Sequence, residues 1–291
     1  MTIQQALEKA KRLQREREAS LVGTRQPLAD GADVARADKL AVRRRPSEPV
    51  RVSKPLSFPQ VEVAGGLEGR DSRVLVKHGD VTAHGEAFDA YRILRTTLRR
   101  EATAKGWSRF AITSAAPGDG KSLTAINLAL ALARENRENV FLLDLDLRSP
   151  SVARYLGVRP FVEVGECLTG QKPIVDAFFS IGVERLAIAA GTQRYENSSE
   201  ILGGEGLRNV LSYISEQDPA AWVVMDLPPV LATADALTVG PLASALILVA
   251  SEGLTARGDL ARAVEMLGGI EIAGIVLNRS HSAAKGYYGG Y

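Results

Sequence analysis

The sequence predicts an α/β fold in which a mostly parallel β-sheet is covered by helices on both faces. From about residue 109 onward, short apolar runs alternate with segments of helical periodicity, which is the order expected of a parallel sheet. The chain has 291 residues, 45% of them hydrophobic, which is enough to bury one sizeable core plus extensions. The predicted strands lie near residues 109–114, 139–145, 185–190, 221–226, 244–250 and 272–278.

The part of the chain before this core is predicted to hold a helix and a linker. Residues 1–20 read as an amphipathic helix with a narrow apolar stripe, which suits a partner, a membrane surface or a solvent-exposed helix of marginal stability. Residues 21–79 are rich in Pro, Gly, Arg and Asp without periodicity, so we expect a flexible, disordered basic linker. A further helix is predicted over residues 87–103.

The charge of the chain is unevenly distributed. Residues 1–60 carry 13 Lys or Arg and 7 Asp or Glu, although the whole chain has a net charge of only +2. Such a basic arm suits an acidic membrane surface, a nucleic acid or an acidic partner, or is simply solvated. Cys167 is the only cysteine, which excludes an intrachain disulfide and fits a reducing compartment. No apolar stretch approaches a membrane span, and the first residues lack a signal-peptide core.

The first motif lies in the turn between the strand at 109–114 and a helix predicted over 123–134. Ala115–Ser122 matches G-x-x-x-x-G-K-[ST] except that Ala115 stands at the first position. Its two glycines permit backbone angles that present N–H groups to phosphate oxygens, and the helix N-terminus adds partial positive charge. Lys121 would reach the β- and γ-phosphates, and the hydroxyl of the next residue would ligate Mg²⁺. The alternative is an ordinary Gly-containing turn.

Carboxylates follow two further apolar runs. Asp144 and Asp146 end the run that starts at Asn139, and both point to the same side because strand side chains alternate. Two like charges packed together are unfavourable unless a cation lies near them, and Mg²⁺ would supply it. Asp226 ends the second run before Pro228 and is the expected magnesium partner of the phosphate loop. Solvated acids and a simple strand terminator are the alternatives.

These motifs together resemble the bacterial protein-tyrosine kinases (BY-kinases) of capsule and exopolysaccharide assembly. Their Walker A loop resembles Ala115–Ser122, and their D-x-D-x-R element after an apolar run resembles Phe141–Arg148. Their D-x-P-P element resembles Val223–Pro229, and their C-terminal tyrosine cluster resembles the end of this chain. The resemblance covers about residues 80–291, and D-x-D-x-R is its most specific part because ordinary P-loop ATPases lack it.

The resemblance implies a P-loop NTPase fold over residues 80–280, with ATP and Mg²⁺ as cofactors. The implied ATP-binding residues are Ala116, Pro117, Gly118, Asp119, Gly120, Lys121, Ser122, Leu123 and Asn278. The implied catalytic residues are Lys121, Asp144, Asp146 and Arg148, and the implied metal ligands are Ser122, Asp146 and Asp226. The family favours Asp144 as the base, although the sequence alone leaves Asp144 and Asp146 open. For Asn278, which resembles an adenine-side Asn, a turn-forming role is the alternative.

The chain ends in a Gly-rich, tyrosine-rich tail over residues 281–291. Three of the seven tyrosines, Tyr287, Tyr288 and Tyr291, lie in the last five residues, where no hydrophobic periodicity places them in a core. Glycine imposes little constraint on the backbone, so such a tail is able to enter the active site of a neighbouring copy. The resemblance implies that these tyrosines are the phosphoacceptors of an autokinase.

The resemblance also implies partners. The family carries E-x-x-R-x-x-R in the helix before the core, where it mediates a ring-like oligomer, and Asp89, Arg92 and Arg95 stand at those positions. Met1–Glu18 resembles the opening of stand-alone autokinases of exosortase-associated exopolysaccharide systems. We therefore expect a cytoplasmic protein, peripheral at the inner membrane through a polysaccharide co-polymerase that recruits and activates it. A cognate tyrosine phosphatase is a further candidate partner, and no nucleic-acid partner is expected.

Two other functions compete with the autokinase. Partitioning-type ATPases position cargo by nucleotide-gated dimerisation, but they carry a Lys where Ala116 stands and lack both D-x-D-x-R and a tyrosine tail. A non-catalytic nucleotide-binding scaffold of a polysaccharide assembly complex is the other alternative. The intact set of Lys121, Ser122 and the three acids argues against it.

Overall fold

The computed structural model describes residues 53–63, 71, 73–75, 85–135 and 137–280. Their contacts place them in one compact unit that begins at Val52. The helix predicted over residues 1–20 and the tail over 281–291 lie outside the described residues. The described helices are α1 (Gly85–Lys105), α2 (Lys121–Ala133), α3 (Val152–Leu156), α4 (Val164–Leu168), α5 (Ser198–Gly203), α6 (Glu205–Gln217), α7 (Asp235–Val239) and α8 (Arg257–Met266).

Seven strands form one sheet in the order β3-β4-β2-β5-β1-β6-β7. The strands are β1 (Arg109–Ser114), β2 (Val140–Asp144), β3 (Phe178–Phe179), β4 (Leu186–Ala189), β5 (Trp222–Asp226), β6 (Ala245–Ser251) and β7 (Ile272–Asn278). All neighbouring pairs are parallel except β3 with β4. The predicted parallel α/β fold is confirmed, with all of its strands. The sequence does not predict β3, because a two-residue strand leaves no periodic pattern.

Helices cover both faces of the sheet, as predicted. On β5, Val224 packs with the apolar side of α2, whereas Val223 and Met225 belong to the cluster on the opposite face. That second cluster also holds the apolar side of α6, including Leu207 and Ile214. Adjacent side chains of a strand point to opposite faces, so each buried strand contributes to both clusters. The carboxyl ends of the parallel strands lie together at one edge of the sheet.

Ion pairs attach α1, which the sequence predicts over 87–103, to the C-terminal end of α2. Arg95 Nε lies 2.9 Å from Glu135 Oε1, and Arg99 Nη2 lies 2.8 Å from Glu138 Oε2. All four side chains are mostly shielded from solvent, with exposures between 16 and 18%. Partial burial weakens the screening of these charges, so the pairs hold α1 more firmly than surface pairs would.

Residues 53–63 pack against the core, whereas the sequence predicts a flexible linker over 21–79. Val61 is 5% exposed, and its N–H donates to the carbonyl of Ser180 over 2.9 Å. Phe58 packs against two core phenylalanines, with ring centroids 5.6 and 6.0 Å apart. The burial of isolated apolar side chains and edge hydrogen bonds hold this stretch, and neither produces a periodic sequence pattern.

Candidate active site

The loop between β1 and α2 has the backbone conformation that phosphate binding requires. Gly118 and Gly120 adopt positive φ angles of 87° and 96°. A Cβ atom at position 120 would lie 2.0 Å from Asn278 Nδ2, so the loop needs glycine there for space as well as for its backbone angle. No side chain caps the N-terminus of α2. Its first N–H groups and the positive end of the helix dipole are therefore available to an anion.

Asp119 braces the loop. Its Oδ2 accepts a hydrogen bond from the Ala116 N–H over 3.1 Å, and its Oδ1 accepts one from the hydroxyl of Thr255 over 2.7 Å. Asn278 Nδ2 donates to the backbone carbonyl of Asp119 over 2.9 Å. The side chain is 2% exposed, so Asp119 supports the loop from behind and offers nucleotide only its backbone.

Lys121 reaches two of the three predicted acids. Its Nζ lies 2.5 Å from Asp146 Oδ2 and 3.6 Å from Asp226 Oδ1, and it donates to the Ser122 hydroxyl over 3.2 Å. Burial alone lowers the pKa of Lys121, but the charges of Asp226 and Asp146 outweigh it and raise the pKa. The lysine is therefore held as a cation among the strand-end acids.

Asp144 and Asp226 are direct neighbours on β2 and β5. Both are 0% exposed. Burial and then the charge of Asp226 raise the pKa of Asp144, and burial raises the pKa of Asp226 against the opposing effect of Lys121. Asp144 Oδ2 accepts the N–H groups of Ser151 and Val152 over 3.0 and 2.9 Å. Asp144 thus anchors the turn that follows β2.

Buried oxygens without partners suit a divalent cation. Among the described residues, Asp144 Oδ1 and both carboxylate oxygens of Asp226 are buried and accept no hydrogen bond of normal geometry. The Ser122 hydroxyl is near enough to lower the pKa of Asp226. Both oxygens of Asp146 are already engaged, by Lys121 and by the N–H of Ser149. A hydroxyl and a carboxylate beside a phosphate loop fit Mg²⁺, which keeps waters and phosphate oxygens as its other ligands.

The described residues contain no group of three or more His, Cys, Asp or Glu side chains arranged to hold a metal ion by themselves.

Arg148 lies at the mouth of the site beside a buried acid that the sequence did not single out. Its Nε lies 3.8 Å from Asp235 Oδ2, and its side chain is 43% exposed. Asp235 is fully buried and accepts hydrogen bonds from Ser198, over 2.7 Å, and from Ser199. The arginine is thereby fixed at its inner edge while its outer face remains accessible.

The loop and the strand ends line one cleft of about 640 Å³. Of the predicted site residues, the lining includes Pro117, Gly118, Gly120, Lys121, Ser122, Leu123, Asp146, Arg148 and Asn278. Ala116 is not among the lining residues. Asp119, Asp144 and Asp226 are also not among them, since their side chains are buried beneath the surface of the cleft. The structure therefore brings the predicted residues to one place but separates those that face the cleft from those that support it.

Comparisons with known proteins agree with this geometry. A sequence model of the family described as "ParA: NUBPL iron-transfer P-loop NTPase" matches residues 108–286. The chain belongs to this P-loop NTPase family, and nucleotide binding follows from its fold. Tyrosine-protein kinase YwqD of Bacillus subtilis is 31% identical over 208 residues, which are 69% of this chain and 86% of that protein. The chain belongs to the bacterial tyrosine-protein kinases.

Two further kinases are similar to this chain. Tyrosine-protein kinase wzc of Salmonella typhimurium is 27% identical over 209 residues, or 70% of this chain. Those residues are 29% of that protein, so this chain spans less than a third of its length. The kinase domain of Escherichia coli tyrosine kinase ETK superposes with a TM-score of 0.64 at 26% identity, covering 75% of this chain and 85% of that domain. The predicted family, fold and enzyme class are confirmed.

Several residues of this kinase site were not found from the sequence. Thr255 braces the phosphate loop, and Asp235 braces Arg148. Arg279 Nη2 donates to the Gly118 carbonyl over 2.9 Å. Arg154 and Arg73 line the cleft near its opening. None belongs to a spaced motif. For Arg279 alone a signal was available, because it directly follows Asn278 at the end of a predicted strand.

The residues predicted to contact another subunit occupy two different environments. Asp89 and Arg92 form an exposed pair 3.3 Å apart, with side chains 67% and 57% exposed. Arg95 turns inward, where it pairs with Glu135 and donates to the carbonyl of Ala131 over 3.2 Å. Within the described residues, Arg95 therefore has a role inside its own chain, and the exposed pair is the part free to meet a neighbour.

No helix within the described residues is both long enough and apolar enough to cross a membrane.

Proposed function

We propose that this tyrosine kinase uses Mg²⁺-ATP to phosphorylate the tyrosines of its own C-terminal tail, Tyr287, Tyr288 and Tyr291, and so regulates exopolysaccharide or capsule assembly. The observation that carries the proposal is the meeting of Lys121, Asp146 and Arg148 on one cleft beside the phosphate loop. A lysine and an arginine flank a carboxylate at the point where a transferred phosphoryl group would lie.

We propose that the loop and the strand ends divide the work of binding. The N–H groups of the loop and Lys121 bind the triphosphate, and Asn278 lies at the nucleoside end. Ser122 and Asp226 hold Mg²⁺, which supplies charge neutralisation of the phosphate oxygens when bound. The buried oxygens of Asp226, which accept no hydrogen bond of normal geometry, support its role more strongly than that of Asp146, whose two oxygens both accept hydrogen bonds.

The transfer step needs a group that accepts the phenolic proton. As the bond forms between the tyrosine oxygen and the γ-phosphorus, the bond to the ADP oxygen breaks and the proton leaves the phenol. Asp146 lines the cleft, whereas Asp144 is fully buried beneath it. The geometry therefore favours Asp146 as the acceptor, in contrast to the family resemblance, which favours Asp144. Arg148 would stabilise the transferred charge.

The remaining parts of the proposal concern assembly. The tail enters the cleft of a neighbouring copy in a homo-oligomer, to which the exposed pair of Asp89 and Arg92 contributes. An inner-membrane polysaccharide co-polymerase recruits and activates the kinase, which places it peripherally at the membrane, and a cognate tyrosine phosphatase reverses the reaction. Each tail phosphate adds about −1.5 to −2 charges. The resulting repulsion loosens the oligomer, which light scattering of phosphorylated and unphosphorylated protein would detect as a change in mass.

A partitioning-type ATPase is the second candidate, favoured by the match to the ParA family model over residues 108–286. Ala116 stands where such ATPases carry a lysine, and the D-x-D-x-R element and tyrosine tail have no use in that function. A non-catalytic scaffold is weaker still, because it would not need a lysine held charged among three acids.

Incubation with γ-labelled ATP separates these functions. Wild type, Lys121→Met and the exposed control Lys172→Met are compared, each co-expressed with its membrane activator. Label on tyrosine in wild type and the control, but not in Lys121→Met, supports the autokinase. Free phosphate without labelled protein indicates an ATPase, and neither product indicates a scaffold. Replacing the three tail tyrosines by Phe should remove the label without preventing phosphorylation of an added tail peptide.

A further inference from the structure

One wall of the cleft is cationic and carries an aromatic ring that the proposed transfer step does not use. Tyr155, Arg154 and Arg73 all line the cleft. The guanidinium carbon of Arg154 lies 5.1 Å from the centroid of the Tyr155 ring, and that of Arg73 lies 5.6 Å from it. Two guanidinium groups therefore pack against one ring at the rim of the site. Both side chains are exposed there, although Nε and Nη2 of Arg73 donate to Asp71.

Contacts distant in sequence build this wall. Asn127 of α2 accepts the N–H of Leu75 over 2.9 Å and donates to the carbonyl of Arg73 over 3.0 Å. The N–H of Asp71 donates to the carbonyl of Tyr155 over 3.2 Å. The backbone that follows Arg73 is thus tied to the helix that carries Lys121, and the backbone that precedes it is tied to Tyr155. Since the same helix begins at the phosphate loop, the wall is fixed relative to the site of transfer.

The charges on the wall do not balance. Asp71 pairs with Arg73 at 2.6 Å and also interacts with Arg154, and the hydrogen bond from Arg73 lowers the pKa of Asp71 to about 2. One carboxylate is therefore shared by two guanidinium groups. Arg148 stands on the same side of the cleft, 3.8 Å from its nearest carboxylate. Around Tyr155, two guanidinium groups thus face one carboxylate, which leaves one net positive charge, and arginine clusters of this kind bind phosphorylated side chains.

The sheet order indicates which of the two substrates, ATP or the acceptor tyrosine, lies beside this wall. The phosphate loop follows β1, and β7 and β2 lie on opposite sides of it. Asn278 and Arg279, at the end of β7, contact the loop at Asp119 and Gly118. The cationic wall follows β2, on the side of Asp146. If the nucleoside lies towards β7, the acceptor approaches the transferred phosphate across the wall on the β2 side.

The tail carries no side-chain carboxylate that would pair with this wall before it is phosphorylated. Residues 280–291 contain no Asp or Glu and include Lys285. A phosphate on one tyrosine would supply an anion of about −1.5 to −2 charges with three acceptor oxygens. The neighbouring tyrosines are at most a few residues away along an extended segment, at about 3.3–3.6 Å per residue. One phosphorylated tyrosine and one reacting tyrosine of the same tail are therefore close enough to occupy one cleft.

We propose that Arg154 and Arg73, around Tyr155, form a subsite for phosphotyrosine in the tail of a second copy of this chain. The subsite deepens the autokinase function proposed above and rests on it. A tail that already carries one phosphotyrosine binds there and presents its next tyrosine to Asp146. Phosphorylation of the tail cluster is then self-reinforcing, with the first phosphate slow to be added and later ones faster.

The test uses amide-capped peptides of residues 280–291, so that phosphate is the only anion they carry. One peptide is unmodified and the other carries phosphotyrosine at position 291. The full-length kinase with its activator is supplied with Mg²⁺-ATP, and kcat/KM is measured for both peptides in wild type, Arg154→Ala and Arg73→Ala. Arg159→Ala, an exposed arginine outside the cleft lining, is the matched control. Binding of both peptides is measured in parallel by fluorescence anisotropy.

In wild type and Arg159→Ala, the phosphorylated peptide should be used and bound at least fivefold better than the unmodified one, with an advantage that shrinks as salt is added. In Arg154→Ala and Arg73→Ala, the ratio of the two peptides should fall to about one. Arg154→Lys should retain part of the ratio, because it keeps the charge but not the planar fork. Unfolding temperatures identify a variant that fails to fold.

Equal use and equal binding of the two peptides by wild type would overturn the subsite and leave the autokinase standing. A ratio retained in both arginine variants would overturn it as well. Phosphopeptide binding that depends on both arginines, without transfer to either peptide, would support the subsite while contradicting the proposed autokinase. The two failures are thereby distinguished.

Discussion

Lys121 Nζ donates a hydrogen bond to Asp146 Oδ2 across 2.5 Å. A triphosphate entering the loop competes with this carboxylate for the lysine and is repelled by it. We therefore expect Asp146→Asn to tighten the binding of ADP several-fold when Mg²⁺ is chelated. The same change should lower phosphoryl transfer by at least about 100-fold, because it removes the group that takes the phenolic proton. Titration with a fluorescent ADP and labelled-phosphate transfer measure the two effects.

The exposed Asp176→Asn is the control for this pair of measurements, since it removes a carboxylate outside the cleft lining. Weaker binding of metal-free ADP by Asp146→Asn would contradict the competition between phosphate and carboxylate. Unchanged transfer would remove Asp146 from the proposed chemistry.

The buried pair of Asp144 and Asp226 predicts how stability depends on pH. Their pKa values are raised from the ordinary 3.8 to about 8 and about 6. The folded protein thus keeps protons that the unfolded chain has released, so stability falls as pH rises from about 4 through about 8. Asp144→Asn should flatten this decline, because an amide does not titrate. Thermal unfolding without nucleotide from pH 5 to 9 measures it, and a decline as steep as in wild type would contradict the assignment.

Loss of the contact between Asp235 and Arg148 should change turnover without changing nucleotide affinity. Its carboxylate lies 3.8 Å from Arg148 Nε and is otherwise held by serine hydroxyls. Asp235→Asn should leave Arg148 free to swing, which misplaces a charge at the reacting centre and lowers kcat by about 10- to 100-fold. The KM for ATP should change less than twofold. Ser199→Ala, which retains the carboxylate, is the comparison, and a raised KM with kcat intact would contradict this positioning role.

Substitutions of Arg92 and Arg95 should have different effects, on oligomer mass and on stability respectively, although both residues belong to the same motif. Arg92 is exposed and should contribute to contact with a neighbouring subunit, so Arg92→Ala should lower the oligomer mass in light scattering and leave the unfolding temperature of the subunit unchanged. Arg95→Ala breaks a shielded pair with Glu135. A loss of about 1 kcal/mol there would lower the unfolding temperature by about 2–4 °C in a domain of this size. The opposite assignment of the two effects would contradict this division.

The sequence predicts those parts of the site whose chemistry is local. Lys121 and Ser122 sit in a contiguous loop, and Asp226 ends an apolar run, so the parallel-sheet rule alone brings them to one edge. Residues that act through distant contacts are not predicted. Asp235 is an isolated acid that matters because Arg148, far back in the chain, reaches it.

Two further features of the structure depend on distant contacts in the same way. Asp119 belongs to the loop motif, yet its side chain is turned away from the cleft by Thr255, which lies 136 residues further along the chain. Arg73 and Leu75 lie inside the predicted linker, but their backbone is bound by Asn127. Such partners leave no periodic or spaced signal, because the contact depends on the folded sheet and not on neighbouring residues.

Alanine substitutions at Gly118 and Gly120 distinguish the effect of backbone strain from the effect of a steric collision within one loop. Both adopt positive φ angles, so an alanine at either position costs about 1–2 kcal/mol in backbone strain. A Cβ atom at position 118 meets no atom within 4 Å, whereas one at 120 would lie 2.0 Å from Asn278 Nδ2. Gly118→Ala should therefore weaken nucleotide binding by about 30-fold or less, and Gly120→Ala should weaken it far more.

The added loss at position 120 should come from the displacement of Asn278, which donates to the Asp119 carbonyl over 2.9 Å and so fixes the loop. The double variant Gly120→Ala/Asn278→Ala removes the colliding amide and should bind nucleotide better than Gly120→Ala alone. Titration calorimetry with ADP and Mg²⁺ measures all three variants. Because Asn278 itself fixes the loop, Asn278→Ala alone is the reference for the double variant. If Gly120→Ala weakens binding equally with and without Asn278, strain at glycine accounts for the whole effect, and Asn278 does not limit the space over the loop.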